Sequence, residues 1–356
     1  MIRRWLPLWT WLAPLCAWAL LAAFAAAPHP ALQAAIGVAL IACVLAAVHQ
    51  AEIIAHRLGQ PLGAVVLALA VTVIEVALIV ALMLAEPQET TALARDTIFA
   101  EVMIILNGVV GFCLVLGGTR HHEQAFGVHG VSAALAALAT LAVMILILPN
   151  ATIQAPGPAY SPSQLAFVGI VSLVLYLVFV FVQTVRHRNY FAEDEDEGAD
   201  EAVPPGAVAA ICLLLLLACL GAVVLSAHDL APTIEATIDA AGVPRAVLGV
   251  VIGVIVLLPE SLAALKAAFA DRLQTSLNLA LGSALASIGL TIPVVAAVAL
   301  AQGWTLALGL DLKEMILLAL SLLVAITSLG TGRTTILQGA VHLVIFAVYL
   351  FTTIVP

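Results

Sequence analysis

Eleven apolar runs, each close to the length that crosses a lipid bilayer, constrain this chain more than any other feature. They cover 5–26, 32–55, 62–85, 97–118, 128–148, 163–185, 207–227, 246–269, 276–301, 306–328 and 335–354. A hydrocarbon core of roughly 30 Å takes about 20 residues of helix. Runs this long and without period-two alternation are not barrel strands, so each predicts a helix that satisfies its own backbone. The fold class is therefore an all-α integral membrane protein of about eleven transmembrane helices, with the lipid bilayer as its surroundings. Only 9% of the 356 residues are charged and 64% are hydrophobic, against roughly 25% charged in an ordinary soluble domain. That excludes a soluble enzyme. The balance of 12 Lys and Arg against 21 Asp and Glu is the wrong sign for a nucleic-acid partner. The five cysteines lie inside apolar runs without metal-ligand spacing, which predicts neither a disulfide framework nor a metal cluster.

The basic residues orient the helices. With loops numbered alternately from a cytoplasmic N-terminus, Arg3, Arg4, Arg57, Arg120, Arg186, Arg188, Lys266, Arg272 and Arg333 fall inside. Arg95, Arg245 and Lys313 fall outside. That bias is the positive-inside rule, and it predicts a multi-pass protein of the bacterial inner membrane with its C-terminus outside. Arg3, Arg4 and the small residues Ala25-Ala26-Ala27 resemble a signal peptide, but the length of the first run and Trp5, Trp9, Trp11 and Trp18 favour a retained helix.

The longest polar stretch opens with Arg186-His187-Arg188 and carries seven acids, Glu193 to Glu197, Asp200 and Glu201. It divides the chain into an N-terminal helix (1–30), a first repeat (31–185), an acidic cytoplasmic linker (186–206) and a second repeat (207–356). Five helices per repeat is an odd number, so the second repeat enters the membrane inverted, the layout of many secondary transporters.

An ionisable side chain inside a span costs on the order of 2.5–3.5 kcal/mol at the helix centre and marks function by default. Two acids meet that description, one per half: Glu75, midway along the third run, and Glu260, past the middle of the eighth. Each follows a pair of glycines at four-residue spacing, Gly59/Gly63 and Gly249/Gly253, which permits close helix approach. Pro259 removes an amide donor beside Glu260, predicting a kink or unwinding that would free carbonyl oxygens for a hard cation. Ser283, Ser287 and Thr291 share one face of the ninth run, and Thr72 lies one turn before Glu75. These hydroxyls serve either as neutral ligands or as packing contacts.

Further polar residues have bland readings beside functional ones. Glu52, flanked by His49 and His56, sits near the cytoplasmic end of the second run, where interface solvation accounts for it equally well. Glu101 lies one turn into the fourth run near the outer surface, and Asn107 lies deeper. His228 and Asp229 close the seventh run. His121-His122-Glu123 reads as a wet loop and His342 as a hydrogen-bonded core histidine. The acidic run reads as a solvated connection or as a gatherer of divalent cations. His122-Glu123 is followed by Gln124-Ala125-Phe126, so no metalloprotease motif forms, and no phosphate-binding Gly-x-x-x-x-Gly-Lys-[Ser/Thr] is present. No enzyme activity is expected.

His56-Arg-Leu-Gly-Gln-Pro-Leu-Gly63 leading to Glu75, then Arg95-Asp96-Thr97 and Pro259-Glu260-Ser261-Leu-Ala-Ala-Leu-Lys266, form an ordered set. Asn278-Leu-Ala-Leu-Gly-Ser283-Ala and Thr331-Gly-Arg333-Thr complete it. Together they resemble bacterial calcium/proton antiporters of the ChaA type, in the calcium:cation exchanger superfamily. The resemblance implies export of Ca²⁺, and of Na⁺ or K⁺, in exchange for protons, with no cofactor beyond the transported ions. It implies that Glu75 and Glu260 take cation and protons in turn, that Glu52 is a matching acid before the first glycine turn, and that Gly282-Ser283-Ala284 belongs to the second repeat's motif. The wider superfamily has Gly-Asn-x-x-Glu in both repeats. Here Val71-Thr72-Val-Ile-Glu75 and Val256-Leu257-Leu-Pro-Glu260 lack both asparagines, and Ala286 stands where a glutamine would fall. Fewer neutral ligands leave a monovalent Na⁺(K⁺)/H⁺ antiporter open, and a cation channel is the alternative from another class. The expected arrangement brings Glu75 and Glu260 together near the midplane, where two carboxylates hold two protons or one Ca²⁺.

Overall fold

The structure, a computed structural model, describes residues 5–59, 62–85, 91–187, 190–191, 203–242, 244 and 246–355. The acidic run 193–201, the basic residues Arg3, Arg4, Arg188 and Arg245, the Gln60-Pro61 pair and Pro356 lie outside the described residues. Among the described residues eleven helices stand at the eleven apolar runs: α1 Leu8–Ala26, α2 Pro30–Leu58, α3 Leu62–Ala85, α4 Leu93–Arg120, α5 Val128–Ala151, α6 Pro162–Arg186, α7 Gly206–Ala241, α8 Ala246–Phe269, α9 Leu273–Gln302, α10 Leu312–Leu329 and α11 Ile336–Ile354. The only strands among them are β1 Gln124–Ala125 and β2 Arg333–Thr334, paired antiparallel.

The helix starts carry the expected chemistry. Pro30 opens α2 behind His29, whose ring accepts from the Ala31 amide. Ser161 with Gln164, and Thr335 with Gln338, form capping boxes for α6 and α11. These satisfy amide groups that the first turn leaves without intrahelical partners.

Two sequence expectations are corrected. Of the kink or unwinding expected at Pro259, the unwinding does not occur, and α8 runs unbroken from Ala246 to Phe269. Proline removes one ladder bond, and the turns on either side hold the helix through it. The seventh helix also does not close at His228 and Asp229. It continues through Pro232 to Ala241, because two polar residues near a helix's aqueous end cost little. The irregular turns lie elsewhere. Wide π turns occupy Ile104–Val109 in α4 and Ser287–Thr291 in α9, with two more at Val143–Ile147 and Val182–Arg186. Such turns cluster at functional sites.

The chain forms two compact units, one from Met1–Thr90 with Gly198–Gly242 and one from Thr91–Glu197 with Val243–Pro356. In the first, α2 packs against α1, α3 and α7. Gln50 donates to the Thr10 carbonyl, Trp18 to the Ala218 carbonyl, and Arg57 to the Pro204 carbonyl at 2.6 Å. In the second, α4 is the most buried span and packs on α8 and α11, while α9 packs on α5, α6 and α8. Glycine makes the α4–α11 approach possible. A Cβ at Gly339 would stand 2.6 Å from the Val115 amide nitrogen, and one at Gly118 would stand 2.6 Å from that of Ile336.

The loops of the second unit gather into two sets at its opposite ends. Arg120 reaches the Phe269 carbonyl and Asp271, His121 also reaches Asp271, and Arg333 pairs with Glu123. At the other end Arg95 donates to the Gly309 carbonyl, Asn150 to the Leu310 carbonyl, and the Ala307 amide to the Thr91 carbonyl. This is the same sorting of loops that the basic-residue tally assigns to the two sides.

Candidate ion-binding residues and their surroundings

In the first unit, α3 carries Glu75 at its middle. The carboxylate is 1% exposed and Thr72, one turn earlier, is 4% exposed. Burial this deep fits a carboxyl that is either neutral or charge-compensated, because an uncompensated buried carboxylate is too costly to retain. Glu52 on α2 has a different setting. It is about half exposed and faces His49 across one turn, with Nδ1 to Oε2 at 3.8 Å.

In the second unit, α8 carries Glu260, half-buried, with Ser261 beside it. The ninth helix brings Ser283 half-buried, Ser287 4% exposed and Thr291 fully buried, the last two at either end of the wide turn. The hydroxyls expected on one face of α9 are thus mostly inside the protein.

The sequence underrated α4. Glu101 was expected near the outer surface one turn into its helix. The helix starts at Leu93, which puts Glu101 two turns in, and its side chain is 1% exposed. A Cβ at Gly253 of α8 would meet the Glu101 Cγ at 3.3 Å, and one at Gly249 would meet the Asp96 carbonyl carbon at 2.6 Å. The Gly249/Gly253 pair therefore admits the acid-bearing face of α4, which gives this Gly-x-x-x-Gly a definite role. At the helix start Arg95 Nε donates to Asp96 Oδ1 at 2.7 Å.

Deeper in α4, Asn107 sits in the wide turn at the centre of a buried polar chain. Its amide donates to Ser321 Oγ at 2.9 Å, and its carbonyl meets His342 Nδ1 at 3.2 Å. His342 Nε2 in turn meets Ser328 Oγ at 2.9 Å. This confirms His342 as a hydrogen-bonded core histidine. It ties α4 to α10 and α11, a link that no local sequence signal reveals.

Known proteins resemble this chain along most of its length. The family model described as sodium/calcium exchanger protein matches residues 29–185 and 211–355. A protein of Sinorhizobium fredii, provisionally named an ionic transporter, is 50% identical over 98% of this chain and 97% of its own length. The sodium-potassium/proton antiporter ChaA of Escherichia coli is 35% identical over 88% of this chain and 86% of its own. The Ca²⁺/H⁺ antiporter ChaA of Bacillus subtilis is 21% identical over 72% and 74%. Among solved structures, native YfkE superposes with a TM-score of 0.75 at 17% identity, covering 98% of this chain and all of that one. The H⁺/Ca²⁺ exchanger CAX gives 0.69 at 16% identity, covering 96% and 88%. At those identities the structural likeness establishes the fold.

Proposed function

The chain belongs to the sodium/calcium exchanger family, among its ChaA-type members, and on that footing we propose that it is a secondary-active cation/proton antiporter exporting Ca²⁺ in exchange for H⁺. The observation that carries this reading is a mid-helix intramembrane glutamate in each half, Glu75 and Glu260, in a chain with very few charges. Each alternately takes cation and protons. Two carboxylates neutralise one Ca²⁺ or bind two protons, so the loaded carboxylate pair is close to neutral either way. Thr72, Ser283 and Ser287 add neutral oxygens, and Glu52 supplies a carboxylate at the cytoplasmic end of α2. The inward proton gradient drives export.

The protein lies in the bacterial inner membrane with its N-terminus cytoplasmic. The N-terminal helix (1–30) precedes two inverted five-helix repeats (31–185 and 207–356), and the acidic segment 186–206 joins them as a solvated cytoplasmic connection. A monovalent Na⁺(K⁺)/H⁺ exchange is the second reading. It is favoured by the missing family asparagines at Thr72 and Leu257 and by the printed function of the Escherichia coli relative. Proton flux from everted vesicles, on adding Ca²⁺, Na⁺ or K⁺ separately, tests both. Release on Ca²⁺ alone supports the first reading, release on Na⁺ or K⁺ alone the second, and release with none of the three overturns both.

A further inference from the structure

The wide turn of α4 is pinned from the side by a histidine that the proposed exchange does not use. In a regular helix the Val110 amide would bond the Leu106 carbonyl, four residues back. Here it bonds the Ile105 carbonyl, five back, which leaves the Leu106 carbonyl without its helical donor. His342 of α11 comes within hydrogen-bond reach of that carbonyl, and its Nδ1 stands 3.2 Å from Asn107 Oδ1. The neighbours fix where the ring carries its proton. Ser321 spends its hydroxyl proton on the Leu317 carbonyl and so accepts from the Asn107 amide. The Asn107 oxygen is then what faces Nδ1, and Nδ1 must be the donor. Nε2 is left to accept from Ser328 Oγ at 2.9 Å.

The turn lies at the depth of Glu260. Gly253 of α8 faces Ala100, Glu101 and Ile104 of α4, and the Ala264 carbonyl lies 4.0 Å from the Cys113 sulfur. Glu260 falls seven residues past Gly253 and four before Ala264, on the face of α8 that both share. It therefore stands opposite the stretch of α4 between Ile104 and Cys113, which holds the wide turn. Ile104 and Cys113 are nine residues apart, and at about 100° per residue nine residues of regular helix end on the opposite face. The extra residue taken up by the turn lets both of them meet α8. Closing the turn to regular geometry would rotate one part of α4 against the other, and with it the surface presented to Glu260.

We propose that His342 is a positioning residue of the exchange: its Nδ1 proton holds open the wide turn of α4 and so fixes the surface against which Glu260 takes its cation. The inference rests on the antiport reading and adds a residue to it. His342 is fully buried and meets the turn from α11, while Glu260 meets it from α8, so the histidine acts through the backbone of α4 and not on the ion. Loss of the Nδ1 donor therefore weakens cation binding, and loss of the Nε2 contact with Ser328 does not.

The test uses the full chain reconstituted in vesicles, with Ca²⁺, Na⁺ and K⁺ as separate probes and proton flux as the readout. In His342→Asn an amide donor stands where Nδ1 was, whereas in His342→Gln it reaches to the place of Nε2. His342→Gln should raise KM for the cation about fivefold, the equivalent of one neutral hydrogen bond, with kcat close to wild type. His342→Leu should raise KM in the same way, and whichever of the two inserts carries the test. His342→Asn should keep the wild-type KM, and so should Ser328→Ala, which touches only the Nε2 side. A histidine that merely fills the core would lower the unfolding midpoint in these variants and leave KM alone. An unchanged KM in the Gln and Leu variants, or a rise as large in His342→Asn, overturns the inference while leaving antiport standing. Wild-type protein that exchanges none of the three ions for protons overturns both.

Discussion

Gly249 and Gly253 occupy the same helix face one turn apart, yet the structure assigns alanine very different costs at the two positions. A Cβ at Gly249 would lie 2.6 Å from the Asp96 carbonyl carbon, 2.8 Å from its Cβ and 2.9 Å from its oxygen. Reaching an ordinary contact requires α4 to withdraw by roughly 0.8 Å, because the obstacle is mainly backbone. Asp96 cannot turn aside, since Arg95 holds its carboxylate at 2.7 Å and is itself anchored on the Gly309 carbonyl at 3.1 Å. At Gly253 the nearest atom is the Glu101 Cγ at 3.3 Å, the stem of a flexible side chain that yields by about a tenth of an ångström. Both substitutions gain the same helix propensity, about 0.5–1 kcal/mol, so their difference isolates the contact. Overpacking a close-packed site costs about 1–3 kcal/mol. Gly249→Ala should therefore be less stable than Gly253→Ala by about that amount. Thermal unfolding of the two variants in the same detergent, followed by tryptophan fluorescence, reads the difference as several degrees at ~2–4 °C per kcal/mol. Equal midpoints would refute the close approach of α4 and α8.

Three other outcomes are expected. Glu75→Gln and Glu260→Gln keep side-chain shape but cannot exchange a proton, so each should abolish cation-coupled proton flux at normal expression. Wild-type flux in either variant shows that glutamate to be structural. Asn107→Leu leaves His342 Nδ1 without its side-chain partner in the interior, at about 1–3 kcal/mol for an unsatisfied group, and also removes the donor to Ser321, which keeps its own bond to the Leu317 carbonyl; it should lower the unfolding midpoint by more than Ser328→Ala does. Asp271 is held below the usual carboxylate range by its hydrogen bond from His121, and also by Arg120. A depressed carboxyl stabilises above its unfolded pKa and loses that contribution as pH falls through the folded one. Asp271→Asn, which tolerates the left-handed backbone at φ 60°, should thus be less stable than wild type at pH 7, and the difference should shrink in acid and vanish once pH falls below the depressed folded pKa.

The spans were legible because apolar length is written locally, and a helix in lipid has no other way to satisfy its backbone. Even the sorting of loops to two ends could be read, since Arg95, Lys313, Arg120 and Arg333 obey an alternation that the packed loops of the second unit share. Depth was less legible. Glu101 looked superficial because the apolar count began at Thr97, whereas the helix begins at Leu93 with Arg95 and Asp96 paired inside it. Pro259 looked like a break because a proline's local effect is known while the support of its neighbours is not. The Asn107–His342 contact joins residues 235 apart in sequence, and only tertiary packing reveals such a pair.

If the proposed pair of glutamates holds the cation, the oxygens offered to it divide unequally between the two repeats, and this asymmetry yields a last testable consequence. Ca²⁺ takes about six to eight oxygen ligands, and at most four come from two glutamates. Where the wider superfamily places an asparagine three residues before each glutamate, this chain has Thr72 in the first half and Leu257 in the second. Thr72 still offers a hydroxyl. Leu257 offers nothing, and at 1% exposure it keeps water from its place. Its position one turn before Glu260 puts it on the same face of α8. On the proposed two-glutamate reading the second repeat is short of one neutral oxygen, which disfavours Ca²⁺ more than a monovalent ion needing fewer ligands. Leu257→Asn restores that oxygen at nearly the same volume. If the position borders the bound ion, the amide is satisfied by it, and apparent Ca²⁺ affinity should tighten several-fold relative to Na⁺. If the position borders only apolar core, an unsatisfied amide costs about 1–3 kcal/mol, and the variant should lose stability with no gain in Ca²⁺ affinity. That second outcome, in vesicles where wild type exchanges normally, would sink the ligand-deficit account of selectivity.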